Sequence, residues 1–474
     1  MVIGAINNYN YSISNPNYSR KDVNSTDAIK NTASASIFAP QNTPSIAQTP
    51  SISKDLAFSG VFSSPEIKDP EQNKKYQEIK NISDPDTKKS LKNLLKTGRL
   101  LNKDSNDGST TLDNLYTIAT SPRHEGLDNR VILKDTVKEI ENPFIINQKF
   151  GEIPEAADDA IVGYEKQLQS EGKAPAGLTL NPKDYNVEYS STCPAASMQF
   201  NIADKRPAEY ARIAAGLTSP ESQIVKKVPY KNIAPSTVEA LELLKDFNVT
   251  TKKNPNSWDD IDVIVKPDDN AMIRAQIQNT NQRPGERSAV STLMQSAFMN
   301  LASQNAYNSL TDKRYGKFST NNEGLTEFEK NFLESVMDEQ PKVSIVYQNI
   351  DDNQKLQGYN FNFKDTEQHL LESLKSGSNV IIGIIEFDEN KTVIGGHEIT
   401  VIGAKKDMKG GVSFICQDSD DNYDGPIMIK SEDLVPKIHH AGIPAKLVEL
   451  PQEKETGYQI LDDYNNYKKS QQAA

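Results

Sequence analysis

The feature that most constrains this chain is an apolar run, Val380-Ile381-Ile382-Gly383-Ile384-Ile385, set between a capped helical pattern and a Gly-Gly-His segment. A short β-branched run of that kind predicts a buried strand. Two further strands are expected from Glu398 to Ala404 and from Val412 to Gln417. Ahead of the run, Asp365 to Gly377 reads as a helix with Leu370, Leu371 and Leu374 facing inward. Val290, Leu293, Met294, Ala297 and Leu301 recur at helical spacing, and Ser236-x-x-Glu239 and Thr326-x-x-Glu329 are helix-start signatures. Together these predict an α+β fold beyond residue 170.

Residues 66–170 have a different texture. Asp84-Pro85 caps a helix carrying Leu91, Leu94 and Leu95 and closed by Gly98. Thr110-Thr111-Leu112-Asp113 opens a second helix. Asp128 caps a third, with Leu133, Val137 and Ile140 on one face and Pro143 beyond it. This is the pattern of a small helical domain without a chemical constellation. In residues 1–65, Ser, Asn, Pro and Thr supply 29 positions and no apolar periodicity is visible. Such a segment cannot offset its ordering entropy by burial, so a disordered tail is expected there. The expected organisation is a tail over 1–65, a helical domain over 66–170, the α+β domain over 171–450 and a polar tail over 451–474.

A net charge of −12 without a basic block argues against a protein that neutralises nucleic-acid phosphates, and disfavours an anionic membrane surface. No apolar stretch is long enough to span a bilayer, and MVIGAINNYNYS lacks the basic and apolar regions of a Sec signal peptide. The expected location is the cytoplasm, or outside it by an export route without a Sec signal. The two cysteines, Cys193 and Cys416, stand outside any CxxC or zinc-spaced cluster. Asp420-x-Asn422-x-Asp424-Gly425 matches the opening of an EF-hand loop, but Ser431 holds the position of the closing Glu, so an acidic turn is the reading. No metal and no organic cofactor are expected.

Three segments carry chemistry. In Ser190-Ser191-Thr192-Cys193-Pro194, the cysteine falls at a predicted helix start. There the unpaired N–H groups and the positive end of the dipole favour a thiolate and can hold an oxyanion. In Gly395-Gly396-His397-Glu398, the histidine opens a predicted strand. In Phe414 to Asn422, a strand ends in acids, and a hairpin from His397 places Asp418 beside the imidazole. Cys416, inside an apolar strand, is expected to be inert.

The order Cys193, His397, Asp418 resembles the papain-like cysteine peptidases, in particular the bacteriocin-processing and related bacterial branches. Gly396-His397-Glu398-Ile399-Thr400-Val401-Ile402-Gly403 is similar to the family's glycine-histidine strand, and Phe414 to Asp418 to the strand of its third residue. The resemblance covers about residues 175–450. It implies nucleophilic acyl transfer, peptide or isopeptide hydrolysis, on a protein or peptide substrate: Cys193 attacks, His397 moves the proton, and Asp418 orients His397. The family's oxyanion Gln is replaced by Val187, the Gly after the cysteine by Pro194, and the sole Trp, Trp258, lies elsewhere. Two rival readings follow, a transglutaminase- or deamidase-like transferase and a catalytically inactive binding module.

Overall fold

The computed structural model describes residues 66–149, 190–229, 249–251 and, with short interruptions, 260–448, plus isolated positions 166, 170 and 232. The expected tails at 1–65 and 451–474, the Ser236 helix, the boundary near 170, and Asn422 and Asp424 lie outside the described residues. Four helices come first: α1 (Pro70–Ile82), α2 (Pro85–Lys96), α3 (Thr111–Thr120) and α4 (Asn129–Glu141). Each begins where a side chain can take orphan first-turn N–H groups. Asp69, Asp84 and Asp128 each accept two of them, and Thr110 and Asp113 form a reciprocal box. Gly98, at φ +77°, turns the chain out of α2.

Two helices, α5 (Cys193–Lys205) and α6 (Pro207–Leu217), lead into a small antiparallel sheet of β1 (Ile224–Pro229), β2 (Val249–Thr251) and β3 (Asp260–Val265). After α7 (Ala271–Asn281) and α8 (Ala289–Ala302) comes a second small sheet, β4 (Tyr307–Asn308), β5 (Lys313–Gly316) and β6 (Ser319–Asn322), and then α9 (Glu327–Met337). Next are β7 (Lys342–Val346), a hairpin of β8 (Gln348–Ile350) and β9 (Leu356–Tyr359), and α10 (Phe363–Lys375). The remaining strands are β10 (Val380–Phe387), β11 (Val393–Lys406), β12 (Val412–Asp418), β13 (Ile427–Lys430) and β14 (Ile438–Pro444). Six strands form the main antiparallel sheet, in the order β13-β12-β11-β10-β14-β7. The chain is α+β.

The apolar run sits in β10, which is covered on both faces. Ile382, with Ile399, Val401 and Cys416, packs in a core that includes Leu370 of α10. Ile381, whose side chain alternates to the other face, belongs to the core of α5 and α8. That second core is continuous: Ile79, Leu115 and Leu133 of the first helices join Met198, Tyr210 and Leu293. Helices α1–α4 therefore share their packing with the helix that carries Cys193. α10 starts slightly earlier than the sequence predicts, because Asn362 rather than Asp365 caps it. No described helix is long and apolar enough to cross a membrane.

The large core holds a buried acid. Glu139 accepts hydrogen bonds from Ser288 Oγ at 2.6 Å, Ser291 Oγ at 2.7 Å and Tyr210 Oη at 2.7 Å. Burial, reinforced by the neighbouring Asp135, outweighs those bonds and raises its carboxyl to about 7. An acid raised on folding binds its proton more tightly in the native state, so this contribution to stability is present below the ordinary value of 4.5 and is lost as pH rises towards 7. Glu139→Gln, which keeps the shape without the charge, should flatten the fall in unfolding free energy across that window. Denaturant midpoints measured at several pH values test this; an unchanged slope would count against it.

Candidate active site

The helix α5 starts at Cys193, Pro194 is its second residue, and everything from Cys193 to Ala203 is buried. Pro194 has no N–H, so the donors at the first turn come from Cys193 and Ala195. The approach to the cysteine is fixed by polar contacts. The Ser191 N–H donates to Asp312 Oδ2 at 2.5 Å, and Thr192 Oγ1 donates to Gln295 Oε1 at 2.8 Å. Arg287 Nη1 reaches the same Gln295 oxygen at 3.0 Å. Tyr307 Oη holds the other Asp312 oxygen at 2.8 Å.

His397 lies within β11, four residues after its first residue, and does not open the strand as the sequence predicts. Its partner across β10 is Ile384. Asp418 ends β12 opposite Ile399, two residues further along β11, so strand alternation puts both side chains on one face. His397 Nε2 stands 2.7 Å from Asp418 Oδ1. That carboxylate fixes a proton on Nε2, which leaves Nδ1 as the ring atom for the thiol. Cys193, 3% exposed, lies beside His397, whose imidazole pulls its thiol down. All three predicted residues therefore meet, from three separate elements.

A second carboxylate, to which the sequence gives no role in this site, is also present. Asp420 follows Asp418 by two residues, and its Oδ2 lies 3.6 Å from His397 Nδ1. Same-face spacing was the available signal. Gln148 had none. It donates through Nε2 to Asp420 Oδ1, accepts from Ser419 Oγ at 2.9 Å through Oε1, and receives the Ser190 N–H on its carbonyl at 2.9 Å. One residue far upstream thus ties the acidic loop to the segment leading into Cys193.

On its opposite side, β11 is pinned by Glu398. Its Oε1 takes Lys330 Nζ at 2.6 Å and lies 3.0 Å from His440 Nε2. Burial opposes the charge, but Lys330 and His440 hold the Glu398 carboxyl near 2. The His440 ring reaches Glu398 across Gly383, where a β-carbon would sit 2.0 Å from His440 Cε1. Ser197 Oγ donates to the Glu398 carbonyl at 3.4 Å and joins α5 to the strand directly.

The protonation states depart from expectation. Burial raises the Cys193 thiol, and the carboxylates of Glu398 and Asp420 add to the rise, against the pull of His397. Burial works against charge on His397 too, yet Asp420 and Asp418 outweigh it and raise the imidazole well above its ordinary value. Asp418, raised by burial alone, is brought below its ordinary value by His397. Both shifts favour the protonated pair, whereas the sequence predicts a populated thiolate. The reactive form, with one proton fewer, develops as pH rises. Cys416 is raised by burial and then by Asp418. Among the described residues, His397, Asp418 and Asp420 also present ligand atoms within 4.8 Å of one another. Comparison with protein-family models, curated proteins and solved structures finds no match to this chain.

Proposed function

We infer that the chain is a cysteine-dependent acyl-transfer enzyme of papain-like type, hydrolysing peptide or isopeptide bonds. The observation that carries this reading is the imidazole of His397, set beside a helix-start thiol and standing 2.7 Å from a carboxylate. In this role Cys193 adds to the carbonyl carbon while its proton passes to His397 Nδ1. The tetrahedral oxyanion is held by N–H groups at the start of α5. His397 then returns the proton to the departing amine, and water, activated by the same ring, releases the acyl group and regenerates the thiol. Asp418 keeps the ring oriented and stabilises its cationic form. No metal or organic cofactor enters these steps, and the substrate is a protein or peptide.

The slight exposure of Cys193 favours one rival, an inactive binding module of the same fold. A peptide-based thiol-directed electrophile at about pH 8, followed by mass mapping, separates the two. The enzyme reading expects adduct at Cys193, none at Cys416, and turnover of a peptide library that Cys193→Ala abolishes. Preferential labelling of Cys416, or turnover that survives Cys193→Ala, would overturn it. Labelling with transfer to amines in place of hydrolysis would move the assignment to a transglutaminase-like enzyme.

A further inference from the structure

We propose that Gln295 is a positioning residue for the inferred acyl transfer, on which this role rests. Its buried amide grips α5 both before and after Cys193 and turns the Thr192 hydroxyl away from the helix start. Gln295 lies on α8, is 0% exposed, and sits among Leu293, Met294 and Ala297 of the large core. An amide in such surroundings is costly unless all its hydrogen-bonding capacity is met. Here it is met in full. Oε1 accepts from Thr192 Oγ1 at 2.8 Å and from Arg287 Nη1 at 3.0 Å. Nε2 donates to the Asn147 carbonyl at 2.9 Å and to Gln199 Oε1 at 3.0 Å. Thr192 immediately precedes Cys193, and Gln199 lies further along α5. Gln199 is locked in turn, because its Nε2 donates to Tyr210 Oη at 2.7 Å and to Ser291 Oγ at 2.9 Å. A buried network that is fully satisfied specifies one arrangement of the elements it joins, here the rotation and depth of α5 against α8.

The backbone at Thr192 shows what the grip does. A threonine ahead of a helix ordinarily takes a first-turn N–H on its hydroxyl. Thr110 does this for α3, with ψ 162° and the Asp113 N–H at 2.9 Å. Thr192 has ψ 16° and gives α5 no side-chain cap. Its hydroxyl proton goes to Gln295, so the Ser190 hydroxyl that meets Thr192 Oγ1 is the donor to it. When the Cys193 sulfur adds to a carbonyl, the new oxyanion therefore meets first-turn N–H groups that no side-chain cap has taken. The bond to Asn147 carries the same frame to the histidine side. Gln148, the next residue, accepts the Ser190 N–H on its carbonyl and holds Ser419 and Asp420 through its amide. Gln295 thus sets the oxyanion donors in register with the acidic loop beside His397.

The test runs two chemistries on the same sulfur in full-length protein. Peptide cleavage develops an oxyanion, whereas alkylation by iodoacetamide does not. Thr192→Val, which keeps the shape and loses the hydroxyl, should lower kcat for peptide cleavage roughly 10–100-fold and leave KM nearly unchanged. A peptide aldehyde, whose adduct with the thiol carries the same oxygen, should lose affinity by a similar factor. Alkylation of Cys193 should stay close to the wild-type rate. Thr192→Ser, which keeps the hydroxyl, should recover most of the loss. Gln295→Met should reproduce Thr192→Val, and the two combined should cost little more than either alone. The role is overturned if Thr192→Val cleaves peptide like wild type, if its loss falls on KM, or if alkylation drops in step with cleavage. The last result would make the amide a support of the fold alone. Thr192→Val leaves the other three bonds of the Gln295 amide in place, so it decides the matter should Gln295→Met misfold. Wild-type protein that cleaves no peptide removes the acyl-transfer reading and this role with it, whereas the three outcomes above leave that reading standing.

Discussion

His397→Ala should slow acylation of Cys193 at about pH 8 by roughly 10²–10⁴-fold, the range for loss of a positioned proton acceptor. The thiol is raised by burial and by two nearby carboxylates, and only His397 opposes them. Without the imidazole, both the proton acceptor and the cation that stabilises the thiolate are gone. Asp420→Asn should act in the opposite direction. Its carboxylate favours the protonated state of both groups, so its removal lowers the proton affinity of the pair and shifts the rising limb of the pH–rate profile towards acid. A charge about 4 Å away at intermediate dielectric is worth a few kcal/mol, so a gain of roughly 10–100-fold at pH 7 is expected. Asp418→Asn should slow the reaction, because it loses the group that orients the ring. Stopped-time alkylation with mass mapping across pH 6–9 reads all three. If His397→Ala alkylates as fast as wild type, or Asp420→Asn moves the profile towards alkali, the assignment of roles is wrong.

The parts of this site legible in the sequence were those fixed by local pattern. Cys193 next to a helix-compatible Pro, and Asp418 at the end of an apolar strand, need only neighbouring residues to be placed. The hairpin that brings Asp418 to His397 follows from the short separation of β11 and β12. Gly395 and Gly396 look like a break and so predict a strand start at His397, yet both pair with β10. In the sequence, Gly383 is one position of a uniform apolar run. Its bare Cα in fact leaves room for a ring from β14 to reach an acid on β11, a relation among three strands that no local window contains. Gln148 was invisible for the same reason: its contacts run to Ser190, Ser419 and Asp420. The helical region read as a separate domain because its caps and stripes are self-contained. Its apolar faces nevertheless meet α5, α6 and α8 in one core. Burial of the thiol, which sets the protonation of the whole pair, depends on that long-range packing.

Lys342→Met should cost about 3–5 kcal/mol of stability, the range for stripping one partner from a buried ionic cluster. Lys342 begins the edge strand β7 and is fully buried. Its Nζ lies 2.7 Å from Glu334 Oε2, on α9, and 2.7 Å from Asp338 Oδ2, just past the end of that helix. Burial alone would lower the lysine, but Asp338 and Glu334 outweigh it and raise it, which favours the cation. One cation serves two acids, and burial still raises the Glu334 carboxyl. That carboxylate lies against β14, where a β-carbon on Gly442 would sit 2.2 Å from Glu334 Oε1, and it is buried. Methionine fills the volume but leaves both acids uncompensated. Glu334 in the variant should then bind its proton more tightly when folded than when unfolded, so the deficit should shrink as pH falls and Glu334 becomes neutral. Lys342→Met combined with Glu334→Gln should recover part of the loss for the same reason. Guanidinium midpoints of the single and double variants at neutral and mildly acid pH measure this. A loss below about 1 kcal/mol, or a deficit that grows on acidification, would show that the lysine contributes packing rather than charge compensation.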